Sequence, residues 1–181
     1  LSGKIHNKAI NTLKGYMNTL IGGYEKLSVD FHLSFEQLYG KIDGDSASVA
    51  EVISMISALS KIGIRQNIAV TGSINQFGEV QPIGGVNEKI EGFYKICKLV
   101  DKVEGKGVLI PESNIDSLVL NAEVEEEIRK GNFHIYSMSC IKDALEILMG
   151  EEALGYKEIM NDAEKEVKKY RGKRTTKKVE E

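Results

Sequence analysis

Two short glycine-rich stretches carry side chains that could do chemistry together: Asp43-Gly44-Asp45-Ser46-Ala47-Ser48 and Pro82-Ile83-Gly84-Gly85-Val86-Asn87-Glu88-Lys89. Each opens a segment of helical periodicity. A serine at a helix start sits among backbone N–H groups that have no intrahelical partner, at the positive end of the helix dipole. That setting can stabilise an oxyanion at an attacked carbonyl. The serine hydroxyl then needs a base. A lysine serves when its amine is neutral near pH 7, which an apolar pocket favours because desolvation penalises the ammonium. A nearby hydroxyl would aim the amine, and Thr71 is the candidate. The chemistry would be nucleophilic attack by Ser46 with Lys89 as general base. Each feature alone has a plainer reading. A Gly-Asp-Ser turn is usually a helix cap, Gly-Gly a turn, a lysine one turn into a helix a solvated charge, and Thr71 an ordinary β-branched strand residue.

The elements that must position these residues follow from periodicity. Ile5, Ala9, Leu13, Met17 and Leu20 predict a helix over 4–21, ended by Gly22-Gly23. Leu27, Val29, Phe31, Leu33 and Phe35 alternate and predict a strand over 27–35. From Ala47 the period changes: Val49, Val52, Ile53, Ile56 and Leu59 form a helical stripe that stops near Gly63, with Ser46 where an N-cap is expected. Residues 68–74 read as a strand, Asn75-Gln76-Phe77-Gly78 as a hairpin turn, and a short return strand runs through Val80. A helix over 86–99 follows the second glycine-rich loop, with Ile90, Phe93 and Ile96 as its core face, Cys97 as a buried small hydrophobe and Glu88 as a solvated first-turn acid. Strands at 107–110 and 133–136 and helices at 113–119, 123–130 and 140–148 complete an α/β (mixed α+β) pattern. Residues 1–150 read as one domain. Residues 151–181 read as a charged surface helix and a disordered basic end.

Composition narrows the classes. The 181 residues include 41% apolar residues and carry a net charge of −3, so nothing global argues for nucleic acid or an anionic membrane. No apolar run approaches the ~20 residues of a membrane span. The first residues lack the layout of a secretory signal, and the chain reads as a fragment of something longer. Cys97 and Cys140 form no CxxC pair and suit two free thiols in a reducing cytoplasm. His6, His32 and His134 show no metal-ligand spacing, so no metal site is expected. Gly84-Gly85 is not a full dinucleotide fingerprint, and there is no Gly-x-x-x-x-Gly-Lys-Ser/Thr loop for ATP. A Ser–His–Asp hydrolase would need one of the histidines beside Ser46. Only His32 lies in a segment leading toward that loop, and its alternation turns it outward.

Over residues 1 to about 150 the chain resembles the proteolytic domain of Lon-type ATP-dependent proteases. The resemblance rests on the two stretches above, on Ala69-Val70-Thr71-Gly72-Ser73 and on Gly78-Glu79-Val80, in matching order, with Ser46 and Lys89 43 positions apart. It implies the Lon protease fold, an α/β domain also seen in a small ribosomal-subunit protein. It implies a serine endopeptidase with Ser46 as nucleophile, Lys89 as general base and Thr71 in support. By the same resemblance the domain assembles as a homo-hexamer and degrades unfolded proteins. It is fused to an AAA+ module that would bind ATP and Mg, leaving this domain without a cofactor of its own.

The commonest bacterial pattern has proline before the nucleophile. Asp45 stands there in this chain, and Asp43 two positions earlier, as in the B-type, archaeal-like branch or a related bacterial Lon-like group. A carboxylate near Lys89 would favour the ammonium and disable the base. Asp43 or Asp45 could therefore latch Lys89 and leave a silent assembly or substrate-holding domain. Alternatively, both aspartates shape the loop.

Overall fold

The structure, a computed structural model, describes residues 3–23, 27–36, 40–153 and 155–171. Helix α1 (Lys4–Gly22) buries Ala9, Leu13, Tyr16, Met17 and Ile21 along one face, as the sequence stripe requires. Helix α2 (Ser48–Ser60) is apolar on most sides, and Val49, Val52, Ile53 and Ile56 are at most 1% exposed. It is therefore the centre of a core rather than its cover. Strand β1 (Ile68–Val70) leads to a two-stranded hairpin of β2 (Ser73–Ile74) and β3 (Val80–Gln81). Helix α3 (Val86–Val100) then crosses to β4 (Lys106–Pro111). A 3-10 helix (Glu112–Ser117) and α4 (Ala122–Arg129) cross to β5 (Phe133–Met138), and α5 (Ile141–Met149) and α6 (Tyr156–Arg171) follow.

Strands β1, β4 and β5 form a parallel sheet in that order, with Ile68 opposite Gly107 and Leu109 opposite Tyr136. The sheet separates two cores because successive side chains point to opposite faces. Leu109 and Met138 face the larger core with α1, α2, α5 and α6. Val108, Ile110 and Phe133 face the smaller one with Val86, Ile90 and Tyr94 of α3 and Val124 of α4. The mixed α/β architecture is the expected one, and the structure adds that its three-stranded sheet is parallel.

Several local expectations differ. The segment 68–74 is not one strand. Thr71 N–H still donates to Leu109 in the sheet, but the Gly72 N–H turns to Ser46, and pairing resumes in the β2–β3 hairpin. A Cβ at Gly72 would lie 2.8 Å from both Met138 Cε and Val49 Cγ2, so the close packing demands glycine. Residues 27–35 carry the expected alternation in part, with Leu27, Val29 and Phe31 half-buried, yet no described residue there belongs to a strand. A period of two reports which side chains face the core, not whether a neighbouring strand is within reach. The helix expected at 113–119 is the 3-10 segment. On α3 the buried face is Val86, Ile90, Tyr94 and Cys97, while Ile96 is 55% exposed.

Helix α6 is more than a surface helix. Ile159, Ala163 and Val167, spaced four apart within a charged sequence, are at most 1% exposed and join the larger core. The basic end, 172–181, lies outside the described residues. Among those residues no helix is long and apolar enough to cross a membrane, and both cysteines are free thiols.

Candidate active site

Ser46 sits one residue before the N-cap of α2, not at it. Ala47 is the cap, because its carbonyl accepts the first helical bond from Glu51 N–H at 3.0 Å. The Ser46 carbonyl is already engaged by Gly72 N–H at 2.9 Å and by the Thr71 hydroxyl at 3.4 Å. Ser48 closes the turn, donating to the Asp45 carbonyl from both its N–H (3.1 Å) and its hydroxyl (2.6 Å). The Ser46 side chain is thus released from capping. Among the described residues the Ser46 and Ala47 N–H groups donate to no other backbone group, so both stay available at the positive end of α2.

Lys89 lies in the first turn of α3. Gly85 caps that helix with φ 69°, a left-handed conformation that favours glycine, and its carbonyl accepts from Lys89 N–H at 3.1 Å. The loop before it is clamped by Asn114, which accepts from Ile83 N–H and donates to the Ile83 carbonyl, both at 3.0 Å. Asn87 adds a second tie, accepting from Val119 N–H at 3.0 Å. Asn87 is legible only as part of the second glycine-rich stretch, and Asn114 carries no sequence signal, since a polar residue in a loop is unexceptional until its partner across the fold is known. The buried pair His6 and Glu51 likewise went unread.

The two loops bring the three expected residues together. The Lys89 amine is 3.0 Å from the Ser46 hydroxyl and 3.3 Å from the Thr71 hydroxyl. Thr71 is 9% exposed, at the end of β1 where the sheet meets α2. A cavity of about 350 Å³ opens beside them, lined by Phe35, Ala47, Ala50, Val70 and Val108 as well as Ser46, Thr71 and Lys89. Burial pushes the Lys89 amine below the usual lysine range, and the Asp45 charge pulls partly against it.

Asp43 does not reach Lys89. One of its carboxylate oxygens accepts from the N–H groups of Ile5 (3.1 Å), His6 (3.3 Å) and Gly44 (3.0 Å). Desolvation acts to raise its pKa, but the His6, Gly44 and Ile5 N–H groups and the Lys41 charge outweigh it and hold the carboxyl below its ordinary value. It anchors the start of α1, so a latch through Asp43 finds no support in this conformation. Asp45 is exposed and acts on Lys89 only through its charge. No histidine touches Ser46: His6 faces Glu51, His134 lies against Tyr136, and His32 is exposed beside α1.

Residues 9–151 match the Lon protease (S16) C-terminal proteolytic domain. A protein of Escherichia coli named as a Lon protease homolog is 40% identical over 149 residues, covering 82% of this chain and 25% of that protein. Its counterpart of the same name in Haemophilus influenzae is 41% identical over 154 residues, 85% of this chain and 26% of that protein. The archaeal Lon protease of Thermococcus kodakarensis is 35% identical over 148 residues, 81% and 21%. The chain therefore spans about a quarter of the length of these relatives. With the match running through both glycine-rich loops and the sheet between them, the chain belongs to the family of Lon protease (S16) C-terminal proteolytic domains.

Proposed function

We propose that this domain hydrolyses peptide bonds by acyl transfer, with Ser46 as nucleophile and Lys89 as general base. The observation that carries the reading is the 3.0 Å approach of a desolvated amine to a serine hydroxyl that is free of capping duty. Neutral Lys89 takes the hydroxyl proton as Ser46 Oγ attacks the carbonyl carbon. The negative charge that develops on the carbonyl oxygen is met by the free N–H groups of Ser46 and Ala47. Collapse of the tetrahedral species expels the amine half, which leaves with the proton held on Lys89. Water then attacks the acyl ester with Lys89 again as base, releasing the acid half and restoring Ser46. Thr71 fixes the amine through its hydroxyl. The cavity beside the dyad suits an apolar side chain next to the scissile bond.

In its full-length setting, the resemblance extends this to ATP-dependent degradation of unfolded or damaged proteins in the cytoplasm by a hexamer. ATP and Mg would then be handled by an AAA+ module and not by this domain. The test is hydrolysis of a fluorogenic peptide and labelling by a fluorophosphonate. Wild type should react, while Ser46→Ala and Lys89→Ala should not. Undiminished turnover by Lys89→Ala would remove the lysine from the mechanism.

A further inference from the structure

The first turn of α1 holds the nucleophile loop on both sides of Ser46. Before the serine, Ile42 carbonyl accepts from Gly3 N–H at 2.6 Å and Asp43 accepts from Ile5 and His6 N–H. A Cβ on Gly3 would fall 2.1 Å from Asp43 Cγ, so the approach is as close as glycine allows. After the serine, in the first turn of α2, Glu51 meets His6: His6 Nε2 is 3.3 Å from Glu51 Oε1. The two side chains are 6% and 4% exposed. His6 also stands edge-on to Phe35, with ring centroids 6.0 Å apart and planes at 76°, and Phe35 lines the cavity that holds Ser46 and Lys89.

Stability gives no reason for this pair. Neither Glu51 oxygen and not His6 Nδ1 has an aligned hydrogen-bond partner among the described residues. A buried pair of this kind is a weak source of stability, and apolar residues of similar volume in place of both would serve a core as well or better. Burial pushes the Glu51 carboxyl up, with the His6 charge opposing it, which again marks a site poor for stability. What a buried pair of this kind adds is register: turning or sliding α1 against α2 would separate the two groups and leave both unpaired in the core, a penalty that apolar packing does not impose.

We propose that His6 and Glu51 are positioning residues that hold the loop carrying Ser46 in register with Lys89. The proposal rests on the reading of Ser46 and Lys89 as nucleophile and base. The loop is tied to α1 at Ile42, Asp43 and Glu51, so releasing the last tie lets α2 turn against α1 and carries Ser46 off the amine. A misplacement near 1 Å at a reacting group can cost ~10²-fold in rate.

The test uses the full chain and compares Glu51→Leu, Glu51→Gln and His6→Leu with wild type. It reads the limiting rate and half-saturating concentration of Ser46 phosphonylation by a fluorophosphonate, the thermal midpoint, and the Lys89 titration from its Cε NMR shift. Glu51→Leu leaves His6 in the core without its partner and should lower the thermal midpoint. Per folded protein it should lower the limiting rate about tenfold, leave half-saturation unchanged, and move the Lys89 titration to higher pH as water reaches the amine. Glu51→Gln, which keeps a polar group against the imidazole, should recover most of the loss. His6→Leu should repeat the Glu51→Leu pattern from the other side and stands in if that variant does not fold. The proposal is overturned if the folded leucine variants label at the wild-type rate with an unmoved Lys89 titration, or if rate falls only in proportion to folded protein. A Ser46→Ala chain that still labels, or a wild type that does not, defeats the dyad reading instead, and the Lys89 titration then decides the positioning role by itself.

Discussion

Ser46 and Lys89 belong to different halves of the molecule. Ser46 precedes α2, whose Val49, Val52, Ile53 and Ile56 are the densest part of the larger core, wrapped by α1, α5 and α6. Lys89 rides on α3, which is held to the sheet by a smaller set, Val86, Ile90, Tyr94, Val108, Ile110, Val124 and Phe133. The halves meet at the end of β1, where Thr71 touches the amine and Gly72 exchanges backbone bonds with Ser46 and Val49. The difference teaches that dyad geometry is a tertiary property. Neither loop builds it, and the sheet that separates the cores sets the 3.0 Å spacing. It also teaches that the base is the less firmly held partner, since its half buries less.

The sharpest break removes either partner. Ser46→Ala should lower peptidase turnover on the order of 10⁴-fold or more, as expected when a nucleophile is lost from a unit that works together. Lys89→Arg should do nearly as much although it keeps the positive charge, because a guanidinium stays protonated and cannot accept the hydroxyl proton. Turnover per folded protein, calibrated by circular dichroism, is the measurement. An active Lys89→Arg would mean that charge, not basicity, is what the lysine supplies.

Next come matched cavities, one in each core. Ile56→Ala and Ile90→Ala each delete a fully buried side chain and should cost ~2–5 kcal/mol in denaturant unfolding. Their effects on kcat should differ. Ile90 directly follows Lys89 in α3, so its loss lets the base shift. Ile56 lies ten residues beyond the nucleophile, inside the larger core. Equal falls in kcat at equal stability would erase the distinction between the halves. At the junction itself, Gly72→Ala should cost ~1–3 kcal/mol by overpacking against Met138 and Val49, with kcat falling while KM changes little.

How far the sequence revealed this arrangement depends on what each feature needs. The helices were legible wherever one stripe faced one core, as with Leu13 and Met17 of α1 or Val52 and Ile56 of α2. Ser46, Lys89 and Thr71 were legible as a linked set only through the resemblance to the Lon family: Gly44, Gly72 and Gly85 mark loops near them, but each feature alone has a plainer reading. The break at Thr71-Gly72 was hidden, since Ile68, Val70, Thr71 and Ile74 keep a strand-like pattern on both sides and a single glycine inside such a run does not by itself mark a change of sheet. The buried face of α6 was masked by its lysines and glutamates. Asn114 and the His6–Glu51 pair depend on partners 31 and 45 positions away, and no local pattern encodes such a contact. The roles given to Asp43 and Asp45 turned on direction: the two stand on either side of Gly44, whose φ is 113°, and the turn sends the first carboxylate to α1.

The subtlest probe of the two halves is Asp45→Asn, which removes a charge of the serine's half that acts on the lysine's amine. Lys89 must be neutral to accept a proton, so activity rises with pH through its folded pKa. Burial lowers that pKa and the Asp45 carboxylate raises it back in part. Removing the carboxylate therefore lowers it further. The acid limb of the kcat profile should move to lower pH while the plateau stays in place, because Ser46, Thr71 and the α2 N–H groups are untouched. The sign for stability is the same. A lysine with a depressed pKa costs the fold when it is protonated, so the Lys89 contribution improves as pH rises through the folded value, and in Asp45→Asn that improvement should begin at lower pH. The charge is exposed and screened, so the shift should shrink as salt is added. A limb that stays fixed in low salt, or moves to higher pH, would show that Asp45 shapes the turn without reaching across to the base.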